Sequence, residues 1–212
     1  GRLERGEAIR LMLEALQGLA YAFDQGVAHR DIKLTNLLAS SQGVLKLVDF
    51  GLATVHKDER RAEEAHGQRT VEYAVLEKTT GVVKGDPRSD IFFLGAVFYQ
   101  MITGTSPIPE KKDRAARLLR TRIDNIRSVR EIYPGADRQL ANIVDRMMSL
   151  TVKERYQTPN EVIDTLRAAA AMAPVAVAPR PAPGTAKPPS PDQAPARSVL
   201  VVDSDANLQA TS

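Results

Sequence analysis

Three polar side chains in the 212-residue sequence have the types and the spacing that phosphoryl transfer requires. Asp31 and Asn36 lie in the run His-Arg-Asp-Ile-Lys-Leu-Thr-Asn, and Asp49 opens the triplet Asp-Phe-Gly 13 residues after Asn36. Phosphoryl transfer asks little covalent chemistry of a protein. It needs a carboxylate to orient the attacking hydroxyl, and oxygen ligands to hold Mg²⁺ on a triphosphate. The two segments supply both kinds of group.

Together, these segments resemble the catalytic loop and the magnesium-binding triplet of the protein kinase family. By that resemblance Asp31 is the catalytic base, while Lys33 neutralises the transferred phosphate and helps to bind ATP. Asn36 and Asp49 are then the metal ligands, so the implied cofactors are ATP and Mg²⁺. A lysine two positions after the base is typical of serine/threonine kinases, which implies a protein substrate with a Ser or Thr acceptor. In the alternative interpretation, the same side chains only cap a turn and end a strand.

The resemblance also assigns supporting roles to residues near these motifs. We expect His29 and Phe50 to pack in a hydrophobic spine without a role in proton transfer, and Gly51 completes the triplet. Asp90 matches the start of the family's central buried helix, where its carboxylate is expected to hydrogen-bond the catalytic-loop backbone. The alternative is that Ser89 or Asp90 simply caps that helix.

The resemblance implies that Arg30 binds a phosphate carried by the activation segment, the stretch from residue 49 to residue 77. A guanidinium forms charge-assisted hydrogen bonds with phosphate oxygens. Between residues 49 and 77, however, the only Ser or Thr residues are Thr54 and Thr70. Thr70 matches the family's substrate-corner threonine, which leaves Thr54 as the one obvious acceptor. This composition argues against control by loop phosphorylation.

Residues 70–77, Thr-Val-Glu-Tyr-Ala-Val-Leu-Glu, resemble the end of the activation segment, usually Thr-x-x-Tyr-x-Ala-Pro-Glu. Leu76 stands in place of the proline, but Glu77 is retained. The resemblance implies that Glu77 pairs with Arg155 as a buried ion pair, whose breakage would cost about 3–5 kcal/mol.

The elements that must position these residues can be predicted from periodicity and from start signals. Apolar residues three and four positions apart predict helices over 7–25, 89–103, 110–120, 138–150 and 158–170. Start signals are Ser89 or Asp90, then Asp137, then Thr158 with Pro159. Short apolar segments at 36–39 and 44–50 predict a hairpin, and the charged stretch 54–70 predicts a long exposed loop.

The expected fold class is α+β and mainly α-helical: a kinase-like C-terminal lobe over residues 1–170 with a small β-hairpin. We find no Gly-x-Gly-x-x-Gly loop and no strand with an ATP-anchoring lysine. We therefore expect the N-terminal lobe to be absent, and this chain alone to have negligible kinase activity. Residues 171–197 are rich in Pro and Ala, which predicts a linker. Residues 198–212 resemble the start of a response-regulator receiver domain; the alternative is a generic hydrophobic strand.

Composition excludes several other classes of function. With no Cys and three His residues, the chain has no disulfides or thiolate zinc sites and suits a reducing, cytoplasmic location. There are 29 Lys and Arg against 26 Asp and Glu, so the net charge of +3 does not indicate a nucleic-acid partner. We interpret the basic stretch 110–131 as a solvated helix face rather than a docking patch. The apolar run 91–99 is about half the roughly 20 residues that a membrane span needs.

Two rival functions come from other classes of protein. One is a non-catalytic pseudokinase that acts as a signalling scaffold, against which the intact catalytic and metal-binding residues argue. The other is a small-molecule kinase of related fold, such as those acting on aminoglycosides or choline. Lys33 and the match over residues 70–77 argue against the second.

Overall fold

The computed structural model describes residues 1–40, 43–50, 54–55, 68–108 and 120–172. Within these ranges the helices are α1 (Arg5–Asp24), α2 (Gln68–Thr80), α3 (Arg88–Thr103), α4 (Thr121–Asp124), α5 (Val129–Ile132), α6 (Arg138–Met147) and α7 (Pro159–Met172). The strands are β1 (Val27–Ala28), β2 (Leu37–Ala39), β3 (Leu45–Leu47) and β4 (Thr54–Val55), and a 3-10 turn covers Leu34–Asn36. The prediction of a mainly helical fold with few strands is confirmed.

Helix α1 packs along α7 and against α3 and β3, and it leads directly into the segment that carries the candidate chemistry. Its apolar residues recur every three to four positions, so they form one buried face. Gly26 ends the helix with a φ of 68°, a left-handed conformation that glycine adopts without a steric penalty. The predicted helix over 7–25 is confirmed.

Helix α3 is the centre of the core, and nearly every residue from Ser89 to Thr103 is buried. The contact with α6 is close: a Cβ added to Gly95 would lie 2.8 Å from Met147 Cβ. The predicted helix over 89–103 is confirmed, but its predicted start signal is wrong. Pro87 precedes the first turn, and the backbone N–H of Arg88 donates instead to Asp86 Oδ1 at 2.9 Å.

The start signals of α6 and α7 are confirmed. Asp137 Oδ1 accepts hydrogen bonds from the N–H groups of Gln139 and Leu140 at 2.9 and 3.0 Å. Thr158 Oγ1 accepts one from Glu161 N–H at 3.2 Å, and Pro159 is the first residue of α7. These side chains satisfy backbone donors that a helix start leaves without partners.

The predicted hairpin is confirmed as an antiparallel pair of β2 and β3, with Leu37 opposite Leu47 and Ala39 opposite Leu45. A second antiparallel pair joins β1 to β4, with Val27 opposite Val55. The described stretches contain no helix that is both long and apolar enough to cross a bilayer.

The predicted exposed loop over 54–70 is wrong at both ends. Thr54 lies in β4, and Thr70 lies in α2. Residues 56–67 lie outside the described residues, as do Gly51, almost all of the predicted helix 110–120, and the predicted linker and receiver-like segment beyond residue 172.

Candidate active site

The centre of the candidate site is the carboxylate of Asp31, in the loop that follows β1. Lys33 Nζ donates to Asp31 Oδ2 at 2.6 Å, and Asn36 Nδ2 donates to the same oxygen at 3.0 Å. Asn36 Nδ2 also donates to the Asp31 carbonyl at 2.8 Å, which folds the loop back on itself. Among the described residues the other oxygen, Oδ1, is buried without a hydrogen-bond partner. The carboxylate is therefore held in one orientation, and one of its oxygens accepts no hydrogen bond from the described residues.

The hairpin brings the second motif to this loop. Val48 N–H donates to the Asn36 carbonyl at 2.9 Å, so Asp49 follows the residue that contacts Asn36 directly. Asp49 has a φ of 65°, in the left-handed region that Asp tolerates better than most residues. The two predicted metal ligands thus lie on neighbouring backbone segments.

The donor set suits Mg²⁺. The amide nitrogen of Asn36 is engaged with Asp31, and its amide oxygen receives no hydrogen bond from the described residues. An amide oxygen and a carboxylate are ligands that Mg²⁺ accepts. The part of the chain that the structure describes has no group of three or more His, Asp or Glu side chains able to hold a metal. A magnesium ion here would therefore complete its coordination with water and substrate phosphates.

His29 is fully buried, and its ring makes two hydrogen bonds. Nδ1 accepts from Asp31 N–H at 3.2 Å, so Nε2 carries the proton and donates to the Val48 carbonyl at 3.0 Å. The ring lies 4.4 Å from that of Phe50, centroid to centroid. The two rings are in contact and both nitrogens of His29 have structural partners, but Phe50 is 39% exposed, so the hydrophobic spine stays a prediction.

Asp90 supports the same loop from α3. Its carboxylate accepts hydrogen bonds from His29 N–H at 2.7 Å and from Arg30 N–H at 3.0 Å. The expected contact between Asp90 and the loop backbone is therefore present. Burial raises the pKa of Asp90, against the opposing effect of these hydrogen bonds. Asp90 also accepts a hydrogen bond from Tyr73 Oη at 2.8 Å, a residue to which sequence reasoning gave no role.

The predicted ion pair between Glu77 and Arg155 is wrong. Both residues are buried, but Glu77 Oε1 accepts a hydrogen bond from Gly85 N–H at 2.9 Å. Burial raises the pKa of Glu77, and Arg30 is the positive charge that opposes this rise. The physical reason lies at Leu76: proline would disrupt a helix interior, whereas leucine lets α2 run through Glu77 to Thr80.

Arg155 has other partners. Its guanidinium donates to the carbonyls of Ser149 at 2.9 Å and of Arg88 at 3.0 Å. Burial lowers the pKa of Arg155 to about 10, and the nearby Asp86 acts against that shift. Arg155 therefore ties the segment that follows α6 to the first residue of α3.

A second buried contact that sequence reasoning missed joins α2 to α4. Arg122 Nη2 lies 3.4 Å from Glu72 Oε1, and their side chains are only 10% and 8% exposed. The two residues are 50 positions apart, so no local pattern could have paired them. Together with the Tyr73 hydrogen bond, this contact anchors α2 on two sides. Thr70 lies in the first turn of α2, and its substrate-corner role stays a prediction.

Comparison with known proteins gives one family and a set of distant relatives. A family model described as protein kinase domain matches residues 1–166. A probable serine/threonine-protein kinase PknB of Lactococcus lactis subsp. lactis is 28% identical over 161 residues, which cover 76% of this chain and 25% of that protein. The protein of the same name from Bifidobacterium longum is 31% identical over 165 residues, 76% of this chain and 23% of its own.

A plant protein gives a similar match. CBL-interacting protein kinase 25 of Oryza sativa subsp. japonica is 35% identical over 161 residues, which cover 74% of this chain and 30% of the plant protein. The chain thus spans between 23% and 30% of the length of these three relatives.

Proposed function

This chain belongs to the protein kinase domain family, and on that premise we propose that it is part of the catalytic domain of a serine/threonine protein kinase. The reaction is transfer of the γ-phosphoryl group of ATP to a Ser or Thr hydroxyl of a protein. The names of the bacterial relatives support the serine/threonine assignment, and so does the position of Lys33. The packing of α1, α3, α6 and α7 supports the assignment of residues 1–170 to the C-terminal lobe.

The observation that carries this proposal is the hydrogen bonding of the two oxygens of the Asp31 carboxylate. Lys33 and Asn36 hold one oxygen, while Oδ1 has no partner among the described residues. Oδ1 is buried in this structure, so the proposed reaction requires substrate binding to expose it; a substrate hydroxyl that then donates to Oδ1 is oriented for attack, and its proton gains an acceptor. The positive charge of Lys33 next to this carboxylate then stabilises negative charge on the transferred group.

The metal ligands in this proposal are Asn36, through its amide oxygen, and Asp49. When bound, Mg²⁺ neutralises charge on the phosphates. Asn36 has a second task, because its amide nitrogen fixes both the backbone and the carboxylate of Asp31. Asn36 therefore both fixes the orientation of the Asp31 carboxylate and supplies an oxygen ligand to the metal.

The test is a phosphotransfer assay on the complete gene product with labelled ATP and a panel of protein and small-molecule acceptors. We expect incorporation into protein Ser or Thr, and a fall in kcat of about 10²–10⁴-fold in Asp31→Asn. Asp24→Asn is the matched control, because Asp24 is an exposed residue at the end of α1. Phosphorylation of small alcohols alone would point to a small-molecule kinase. No phosphotransfer from ATP in the wild-type protein or in either variant would point to a signalling scaffold.

A further inference from the structure

The backbone around Asp31 is held by side chains from three directions. All four N–H groups of residues 29–32 donate to side chains: the first three to Asp90 or to the His29 ring, at 2.7 to 3.2 Å. The fourth, of Ile32, donates to Tyr73 Oη at 3.3 Å. Tyr73 thus supports the loop at the residue directly after Asp31, and it does so from α2.

The Tyr73 hydroxyl is itself fixed in place. Tyr73 is 1% exposed, and its ring stacks on that of Phe93 at 4.0 Å between centroids. Its Oη donates to Asp90 Oδ1 at 2.8 Å while it accepts from Ile32 N–H. The hydroxyl therefore joins the carboxylate that holds one side of the loop to the amide on the other side.

The loop needs such support because its backbone is unfavourable on its own. Arg30, directly before Asp31, has a φ of 62°. The left-handed region is costly for a residue with a long side chain, and such conformations persist only where the surroundings enforce them. Asp90 acts before Asp31 and Tyr73 acts after it, so the backbone is held by hydrogen bonds on both sides of Asp31.

We propose that the Tyr73 hydroxyl is a positioning group that orders residues 30–32 and thereby aims the Asp31 carboxylate at its substrate. The ordering concerns the loop alone, whereas the effect on rate rests on the proposed kinase function. Because Tyr73 belongs to α2, the placement of that helix and the direction of the Asp31 carboxylate are coupled.

The test compares Tyr73→Phe with Tyr99→Phe in the complete gene product. Phenylalanine keeps the ring and removes only the hydroxyl. Tyr99 is also buried, at 2% exposure, and its hydroxyl makes no hydrogen bond within the described residues. We expect the Ile32 amide to exchange its hydrogen about tenfold faster in Tyr73→Phe and at the wild-type rate in Tyr99→Phe. We also expect kcat to fall about 10- to 100-fold in Tyr73→Phe, with the KM for ATP unchanged.

The two readouts separate the possible failures. Unchanged exchange at Ile32 in a folded Tyr73→Phe protein overturns the proposal, and so does faster exchange with an unchanged kcat. A wild-type protein without phosphotransfer refutes the proposed function, and the exchange rates then decide the ordering role alone. Should Tyr73→Phe not fold, an unprotected Ile32 amide in the wild-type protein overturns the proposal, and a protected one supports it.

Discussion

The ammonium group of Lys33 lies 2.6 Å from Asp31 Oδ2, on a side chain two residues further along the chain. The lysine side chain is partly exposed, whereas that of Asp31 is almost completely buried. The charge that balances the buried carboxylate therefore lies on a side chain that reaches solvent. Lys33 thus orients the carboxylate, and in the proposed function the same lysine also stabilises charge on the transferred group.

Replacement of Lys33 with methionine should impair the reaction without unfolding the protein. Methionine keeps much of the length of the side chain but removes its charge, so we expect kcat to fall about 10²–10³-fold. Lys46→Met is the matched control, because Lys46 is exposed on β3. Steady-state phosphotransfer assays on the complete gene product measure both. Wild-type kcat in Lys33→Met would limit this lysine to a structural role.

Replacement of Glu77 with glutamine tests the environment of that residue. Burial raises the pKa of Glu77, so the stability that its neutral form provides is complete below the pKa of the unfolded chain and is lost as pH rises through the raised pKa. Glutamine does not ionise, and its amide oxygen can still accept from Gly85 N–H. We expect the variant to match the wild type near pH 4 and to exceed its stability at pH 7, by about 1.4 kcal/mol for each unit of raised pKa.

Urea denaturation at the two pH values measures this difference. Glu154→Gln is the control, because Glu154 is exposed and its replacement removes the same charge. A loss of about 3–5 kcal/mol in Glu77→Gln at pH 7 would instead be the mark of a broken buried ion pair. That result would show that the ionised form of Glu77 is paired with a cation, for which Arg30 and Arg155 are the candidates.

The helices that could be predicted from the sequence are those whose burial pattern is local. The residues of α1 alternate between a buried and an exposed face at helical spacing, and α6 begins at an aspartate that caps it. Helix α2 was not predicted, because its key contacts are distant ones. Tyr73 meets Asp90 and Ile32, which are 17 and 41 positions away, and no periodic pattern reports such contacts.

The contacts of the candidate site likewise include some that could be predicted from the sequence and some that could not. The resemblance correctly located the hydrogen bonds from the loop backbone to Asp90, since those depend on the start of a helix whose position the sequence predicts. It failed for Glu77, whose direction depends on whether α2 stops or continues at Leu76. With leucine at this position α2 continues to Thr80, and Glu77 accepts a hydrogen bond from Gly85 N–H.

Asp137→Ala should destabilise the start of α6 in a pH-dependent way. Burial disfavours the charged form of Asp137, but the hydrogen bonds from Leu140 N–H and Arg5 outweigh it and hold its pKa below the usual value. The stability from this carboxylate is therefore present above the pKa of the unfolded chain and is lost as pH falls through the lowered pKa. We expect a loss of about 1–2 kcal/mol at pH 7 that shrinks as the pH falls below about 4.

An uncharged cap provides the comparison for that experiment. Ser128 Oγ accepts a hydrogen bond from Glu131 N–H at the start of α5, so Ser128→Ala also removes a cap. Its effect on the free energy of unfolding should not vary with the ionisation of an aspartate. Equal pH dependence in both variants would assign the trend to other groups.

The contact between α3 and α6 leaves no room for a methyl group at Gly95. A Cβ at this position would lie 2.8 Å from Met147 Cβ and 2.9 Å from Met148 Cγ, so one helix would have to shift. Such overpacking costs about 1–3 kcal/mol, against a gain of up to about 1 kcal/mol because alanine favours a helix more than glycine does. We therefore expect Gly95→Ala to lower the free energy of unfolding.

Gly6→Ala isolates the gain in helix propensity, because Gly6 lies in α1 with open space around it. This variant should stabilise the protein by about 0.5–1 kcal/mol. Chemical denaturation of both variants measures the difference, and a stabilised Gly95→Ala would contradict the close approach of the two helices.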